Sequence, residues 1–181
     1  MLMSVSSLPM NLFHPLGNRD DVLSILSQIS MFGGITEAQQ NEIFSRLEIG
    51  TFKRGETIFR EGDDPTHIYI VKSGLIGLFI SDNEVKVEKK RLGKGECFGH
   101  VALISINQHN LSAVAVVDSE IIVFSKELLR QLHHEDSELF ALLILNIARE
   151  LARRLQFTDD LLLKAMHGQE VVKDAPKITG P

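Results

Sequence analysis

The sequence predicts a mainly β fold with flanking helices: a double-stranded β-helix (jelly-roll) barrel with two N-terminal helices and a long C-terminal helix. Three observations carry this reading. Apolar residues recur at helical spacing up to Leu47, alternate with a period of two from Ile49 to Ser125, and return to helical spacing afterwards. The alternating region is cut into short runs by Gly55, Gly62-Asp-Asp-Pro65, Ser73-Gly74, Asp82-Asn83 and Gly93-Lys-Gly95, the punctuation of an all-β barrel. A chain of 181 residues, 44% apolar and 24% charged, suits one globular domain with extensions.

In order, residues 1–17 mix Ser, Pro, Met and His without period and read as a flexible lead-in. Residues 18–48 hold the N-terminal helices. Asn18 is the expected cap of the first, with Asp20 and Asp21 in its first turn, Val22, Leu23, Ile25, Leu26 and Ile29 on its apolar face, and Gly33-Gly34 as its stop. Thr36 caps the second, which buries Ile43, Phe44 and Leu47. Residues 49–135 form the β-roll, with strand signals at 51–55, 57–60, 67–72, 75–80, 85–90, 111–117 and 120–125, about eight strands in all. Ser125 caps a short helix, and Asp136 or Ser137 opens a long one over 136–166. Leu139, Phe140, Leu143 and Ile147 suit packing on the barrel. A second line, Ile144, Ala148, Leu151, Leu155 and Leu162, approximates a 3-4 seam for a second copy of the chain, interrupted at Thr158. Residues 167–181 read as a disordered tail.

Composition narrows the function classes. A net charge of −5 argues against general nucleic-acid binding, which requires a basic surface. A single cysteine, Cys97, makes neither an internal disulfide nor a zinc site, so a reduced, cytoplasmic setting is expected. The first residues lack the basic and apolar regions of a signal peptide. The longest apolar run, 139–145, is far below the ~20 residues that span a bilayer, so no membrane contact is expected.

The ordered series Phe52-Lys-Arg-Gly55-Glu-Thr-Ile58-Phe59-Arg-Glu-Gly62-Asp63, Ile68-Tyr69-Ile-Val71-Lys-Ser-Gly74 and Leu92-Gly-Lys-Gly95-Glu-Cys-Phe98-Gly99 resembles the cyclic nucleotide-binding domain of the catabolite-activator and kinase-regulatory-subunit families, over roughly residues 35–157. A cupin shares the roll but needs a His-x-His metal pair, and no such pair occurs here. The family's site reads F-G-E-apolar-A-L, a short loop, then R-[SA]-A. The resemblance implies that the carboxylate holds the ribose, the short helix offers N–H groups to the cyclic phosphate, and the arginine pairs with it.

Here Phe98, Gly99, Val101, Ala102 and Leu103 keep the turn and helix, whereas His100 stands at the glutamate position. Counting from Gly99 puts His109 or Asn110 at the arginine position, but the strand beginning Ser112-Ala113 assigns it to Leu111, with a loop one or two residues longer than usual. His100 is left either bonding a ribose or an anion, or facing solvent in the turn; His109 or Asn110 could supply a substitute contact. Losing two directed contacts at about 1–3 kcal/mol each weakens a ligand by roughly 30-fold to more than a thousandfold. A degenerate site is therefore expected, with a cyclic nucleotide or another small anion as possible ligand and no certain cofactor.

Other clusters are weaker. His133-His134 with Glu135 and Asp136 looks like a metal group, but adjacent residues point apart. Lys86, Lys89, Lys90, Arg91 and Lys94 alternate with Glu84, Glu88 and Glu96, as on a solvated hairpin; Arg149, Arg153 and Arg154 are expected on the outer face of the long helix; Cys97 is expected buried. No nucleophile–base pair is visible, so no catalytic residue is assigned. About 15 residues follow Met166, too few for the helix-turn-helix of the family's transcription regulators. The expectation is a non-catalytic regulatory or sensor module with weakened or altered ligand binding, forming a homodimer through the long helix and acting on a signalling protein. The alternatives are an interaction scaffold with a vestigial pocket and a cyclic AMP or GMP receptor with non-standard phosphate ligands.

Overall fold

The computed structural model describes residues 13–16, 19–82 and 85–167. Two helices, α1 (Arg19–Leu26) and α2 (Glu37–Arg46), flank a 3-10 turn at Ser30–Phe32. The strands are β1 (Phe13–Pro15), β2 (Glu48–Phe52), β3 (Thr57–Phe59), β4 (His67–Ser73), β5 (Ile76–Asp82), β6 (Val85–Leu92), β7 (Cys97–Phe98), β8 (Ser112–Ala115) and β9 (Ser119–Ser125). A short helix, α3 (His100–Ser105), lies between β7 and β8, and α4 (Lys126–Glu135) and α5 (Ser137–Met166) complete the chain. The strands form two antiparallel sheets, ordered β1-β2-β9-β4-β7 and β3-β8-β5-β6. This is the jelly roll expected, with N-terminal helices and a long C-terminal helix.

Three of the turns that cut the roll are one device used repeatedly. In Lys53-Arg-Gly55-Glu56, Arg60-Glu-Gly62-Asp63 and Gly93-Lys-Gly95-Glu96 the glycines take φ of +87°, +87° and +83°. In each, the acid's backbone N–H donates to the first residue's carbonyl, at 2.9, 3.1 and 3.1 Å. Its carboxylate accepts from the first residue's N–H, at 2.7, 2.7 and 2.8 Å. A type II geometry needs positive φ at its third residue, and the carboxylate closes it from the other side.

The core has two halves that share β4 and β9. Ile68, Ile70, Ile122 and Phe124 pack outward with Val22, Ile25, Ile43, Leu132, Leu139, Leu143 and Ile147 of the helices. Tyr69, Val71, Ile121 and Val123 point into the barrel with Phe52, Ile58, Phe59, Leu92 and Phe98. Both strands are covered on both faces and therefore read as near-continuous apolar runs.

The caps act as expected at three helices. The Thr36 hydroxyl accepts from Gln39 N–H while the Gln39 side chain accepts from Thr36 N–H, a capping box. Ser125 accepts from Leu128 N–H and Asp136 from Leu139 N–H, at 3.0 and 2.9 Å. Asn146, buried on α5, donates through Nδ2 to the carbonyls of Met31 and Gly33, at 3.2 and 2.8 Å, tying the 3-10 turn to the long helix.

Several expectations need correction. The lead-in is not featureless throughout: Phe13–Pro15 adds β1 to the edge of β2, because Gly50 leaves room for the Phe13 ring, 2.8 Å from where a Cβ would stand. The first helix ends at Leu26, seven residues before Gly33, as the Ser27 hydroxyl bonds Ser24 carbonyl and the chain tightens into i→i+3 bonds through Gln28 and Ile29. Ile29 is buried outside the helix. The proposed seam is split: Ile144 and Leu151 pack against this chain's own core, while Ala148, Leu155 and Leu162 are exposed. The α5 axis rotates this line inward by about one residue, so the outward line runs Leu145, Ala148, Ala152, Leu155, Leu162, Met166. Asn18 as a cap, the tip of the β5–β6 turn at 83–84 and the tail at 168–181 lie outside the described residues.

Candidate functional site

Gly99 opens the segment that the family resemblance points to. It is left-handed, φ +82°, and a Cβ there would lie 2.8 Å from the Tyr69 ring and 2.9 Å from the His67 carbonyl, so the turn into α3 admits only glycine. Ala102 and Leu103 are buried under α3 and Val101 is exposed. The helix ends at Ile106, also left-handed at φ +57° and 83% exposed, a strained conformation for a β-branched residue.

The loop after α3 is anchored by His109. Its carbonyl accepts from Gly62 N–H at 2.8 Å and its N–H donates to the Asp63 carbonyl at 2.9 Å. Its ring is buried and stacks on Phe59, centroids 3.7 Å apart, at the edge of an aromatic cluster with Tyr69 and Phe98. Burial lowers the pKa of this ring, opposed by Asp63. Asn110 is exposed. Leu111 is partly buried against the inner barrel core beside Ala113, and Ser112 points the other way, its hydroxyl accepting from Glu61 N–H at 3.0 Å.

The barrel wall facing this segment is apolar. Leu78 lies opposite Ala113 and packs on the inner core, and strand alternation puts Ile80 and its partner Val87 on the same face. Val87 and Val85 are 50% and 62% exposed. Lys90, opposite Leu78, is held by Glu96 at 2.9 Å. Tyr69, at the barrel floor, has its phenol pushed up to about 12 by burial, offset in part by a hydrogen bond to Thr66.

His100 occupies neither of its expected positions. It is 3% exposed and, among the described residues, neither ring nitrogen has a hydrogen-bond partner. Burial first, and then Arg154 of α5, lower its pKa to about 4, with Glu150 of α5 opposing. Glu150 is itself buried; one oxygen accepts from the Ser30 hydroxyl at 2.9 Å and the other pairs with Arg154 at 3.0 Å. Arg154 is therefore not simply on the outer face, because its guanidinium is drawn back by Glu150. Glu150 and Asn146 escaped the sequence reading, although both follow from Leu139, Leu143 and Ile147 at helical spacing, with Arg154 four residues on. Cys97 is buried and its thiol pKa is raised by burial. His133 and His134 are exposed, and among the described residues no group of three or more His, Cys, Asp or Glu could hold a metal. Among them no helix is long and apolar enough to cross a membrane.

A jelly roll with a glycine-led helix between β7 and β8, flanked by helices at both ends, defines the architecture. Residues 49–136 match the profile of the cyclic nucleotide-binding domain. The cyclic AMP receptor protein of Thermus thermophilus is 31% identical over 136 residues, covering 71% of this chain and 58% of that protein. The cGMP-dependent protein kinase of Eimeria tenella is 30% identical over 153 residues, 84% of this chain and 15% of the kinase. The chain thus spans only part of these relatives. Among solved structures, the Thermus thermophilus catabolite activator protein superposes with a TM-score of 0.66 at 29% identity, covering 76% of this chain and 63% of that one. A cyclic nucleotide-binding domain from Methylobacillus flagellatus superposes at 0.70 with 20% identity, covering 80% and 82%, a likeness of fold. Over residues 49–136, the β-roll of this chain is thus similar to the cyclic nucleotide-binding domain.

Proposed function

We propose that the chain is a regulatory module of the cyclic nucleotide-binding type, without catalytic chemistry of its own, whose ligand binding is weakened or altered and which acts through partner proteins. The observation that carries this reading is Leu111. It stands immediately before Ser112-Ala113, where the family's arginine meets the cyclic phosphate, and its side chain joins the apolar core. A leucine offers a phosphate no donor, and a charge-assisted contact of about 1.5–3 kcal/mol is absent. His100, at the glutamate position, is buried toward α5 and gives a ribose no acceptor in this arrangement. Calorimetric titration with cyclic AMP and cyclic GMP tests this: binding weaker than low-micromolar is expected, and low-micromolar binding overturns it.

A second reading, a working cyclic-nucleotide receptor, is favoured by the names of the relatives and by Asn110, exposed beside Leu111. It predicts tight binding that Asn110→Ala abolishes. His109 is poorly placed for that role, with its ring stacked on Phe59 and its backbone bonded on both sides. Self-association would run along the exposed line of α5, where Leu155 and Leu162 are 62% and 59% exposed.

A further inference from the structure

His100 is a buried imidazole with nothing to bond. Nearly all buried polar groups have a partner, and here both ring nitrogens lack one. The ring is set at the first residue of α3 and feels an ion pair on α5, buried Glu150 with partly exposed Arg154, of which Glu150 already has both oxygens engaged. A proton placed on the ring in this position is shut away from water and meets the Arg154 charge. A second strained point lies at the other end of the same helix, where exposed Ile106 is held left-handed. Both ends of α3 are thus in arrangements that movement of the helix would relieve.

We propose that His100 makes the contact between α3 and α5 acid-labile: acidification swings α3 away from α5, because the ring can take up a proton only when it leaves its place beside the Glu150–Arg154 pair. The groups facing it are few. From α5 they are Glu150 and Arg154; the nearest titratable groups along the chain and around Gly99 are the thiol of Cys97, which burial keeps neutral, and the phenol of Tyr69 on β4, where His67 also lies. Of these only His67 is a second imidazole, its pKa also lowered by burial. The sign follows from linkage. An exposed ring protonates near 6.5 and the enclosed one near 4, so the open form gains over the closed one as pH falls through this window. The gain is about tenfold at one pH unit below 6.5. The inference uses no ligand and stands apart from the nucleotide reading.

Hydrogen exchange of the full chain by mass spectrometry at pH 7.5 and 5.5, corrected for the intrinsic rate, tests it. Peptides over 99–106 and 147–154 are expected to lose about tenfold in protection through a local opening, exchanging at both pH values well ahead of the global unfolding reported by β4 and β9. His100→Leu, which leaves His67 and His109 in place, should remove the loss, and Arg154→Ala should shrink it. The same acid response of 99–106 in His100→Leu, no response in wild type, or exchange of 99–106 only as fast as that of β4 and β9 would each overturn the proposal. The ring titration followed by NMR in the wild-type protein needs no variant: a folded-state pKa well below 6.5 is expected, and titration of His100 near 6.5 sinks the idea.

Discussion

At the scale of single residues, positions 99, 100 and 111 shape the candidate site in different ways. Gly99 is structural: its φ of +82° and the Tyr69 ring 2.8 Å from any added Cβ make Gly99→Ala costly. A loss of about 2–4 kcal/mol, combining left-handed strain with overpacking, is expected in urea denaturation. Leu111 is chemical in the proposed reading: Leu111→Arg places a cation where the family's arginine is expected. If the depleted reading holds, affinity for cyclic AMP should rise by roughly 10-fold to 150-fold, the equivalent of about 1.5–3 kcal/mol; unchanged calorimetric affinity would count against the register assigned here. The asymmetry between these positions explains what could be read from the chain. A glycine demanded by backbone geometry announces itself in a motif, whereas whether His100 points into the barrel, outward or under α5 depends on residues 50 positions away.

At the scale of elements, α5 carries two faces with different tasks. Its inner face is fastened by Asn146 to the carbonyls of Met31 and Gly33. Asn146→Ala leaves those acceptors unpaired and should lower stability by about 1–3 kcal/mol, read as a shifted denaturation midpoint with an unchanged slope. Its outer line, through Ala148, Leu155 and Leu162, has no cover among the described residues. Light scattering should give a dimer for the wild type and a monomer for Leu155→Glu with Leu162→Glu; a monomeric wild type rules the seam out. Helix existence and the caps of α2, α4 and α5 were legible in the sequence because they rest on local spacing and local hydrogen bonds. The phase of the seam was not: a shift of one residue rotates a helix face by about 100°, and only the barrel against which α5 lies sets that rotation.

At the scale of the whole molecule, burial of imidazoles links stability to pH. His67, His100 and His109 all have lowered pKa values with burial as the first cause. The folded state resists protons that the unfolded chain binds below 6.5, so stability is greatest above that pH and falls as pH drops through the window. For His100 the window runs from 6.5 to about 4, a loss of roughly 3 kcal/mol at its acid end. Thermal melts at pH 7.5, 6 and 5 should fall progressively, and His100→Leu should flatten the trend; an equally steep fall in that variant assigns the effect to other groups.

What the sequence determined by itself is the roll and the family it resembles. The order of the glycine-and-acid turns, the change of apolar period at Ile49 and Ser125, and the capping residues are all written within a few positions of where they act. The tertiary structure decided the rest: that Phe13–Pro15 joins a sheet, that Ile144 and Leu151 face inward, that His109 stacks on Phe59, and that His100 is buried within the field of Glu150 and Arg154. Each of these depends on which distant segment fills a given space, and burial there changes the chemistry of a side chain without leaving any mark in its neighbours along the chain.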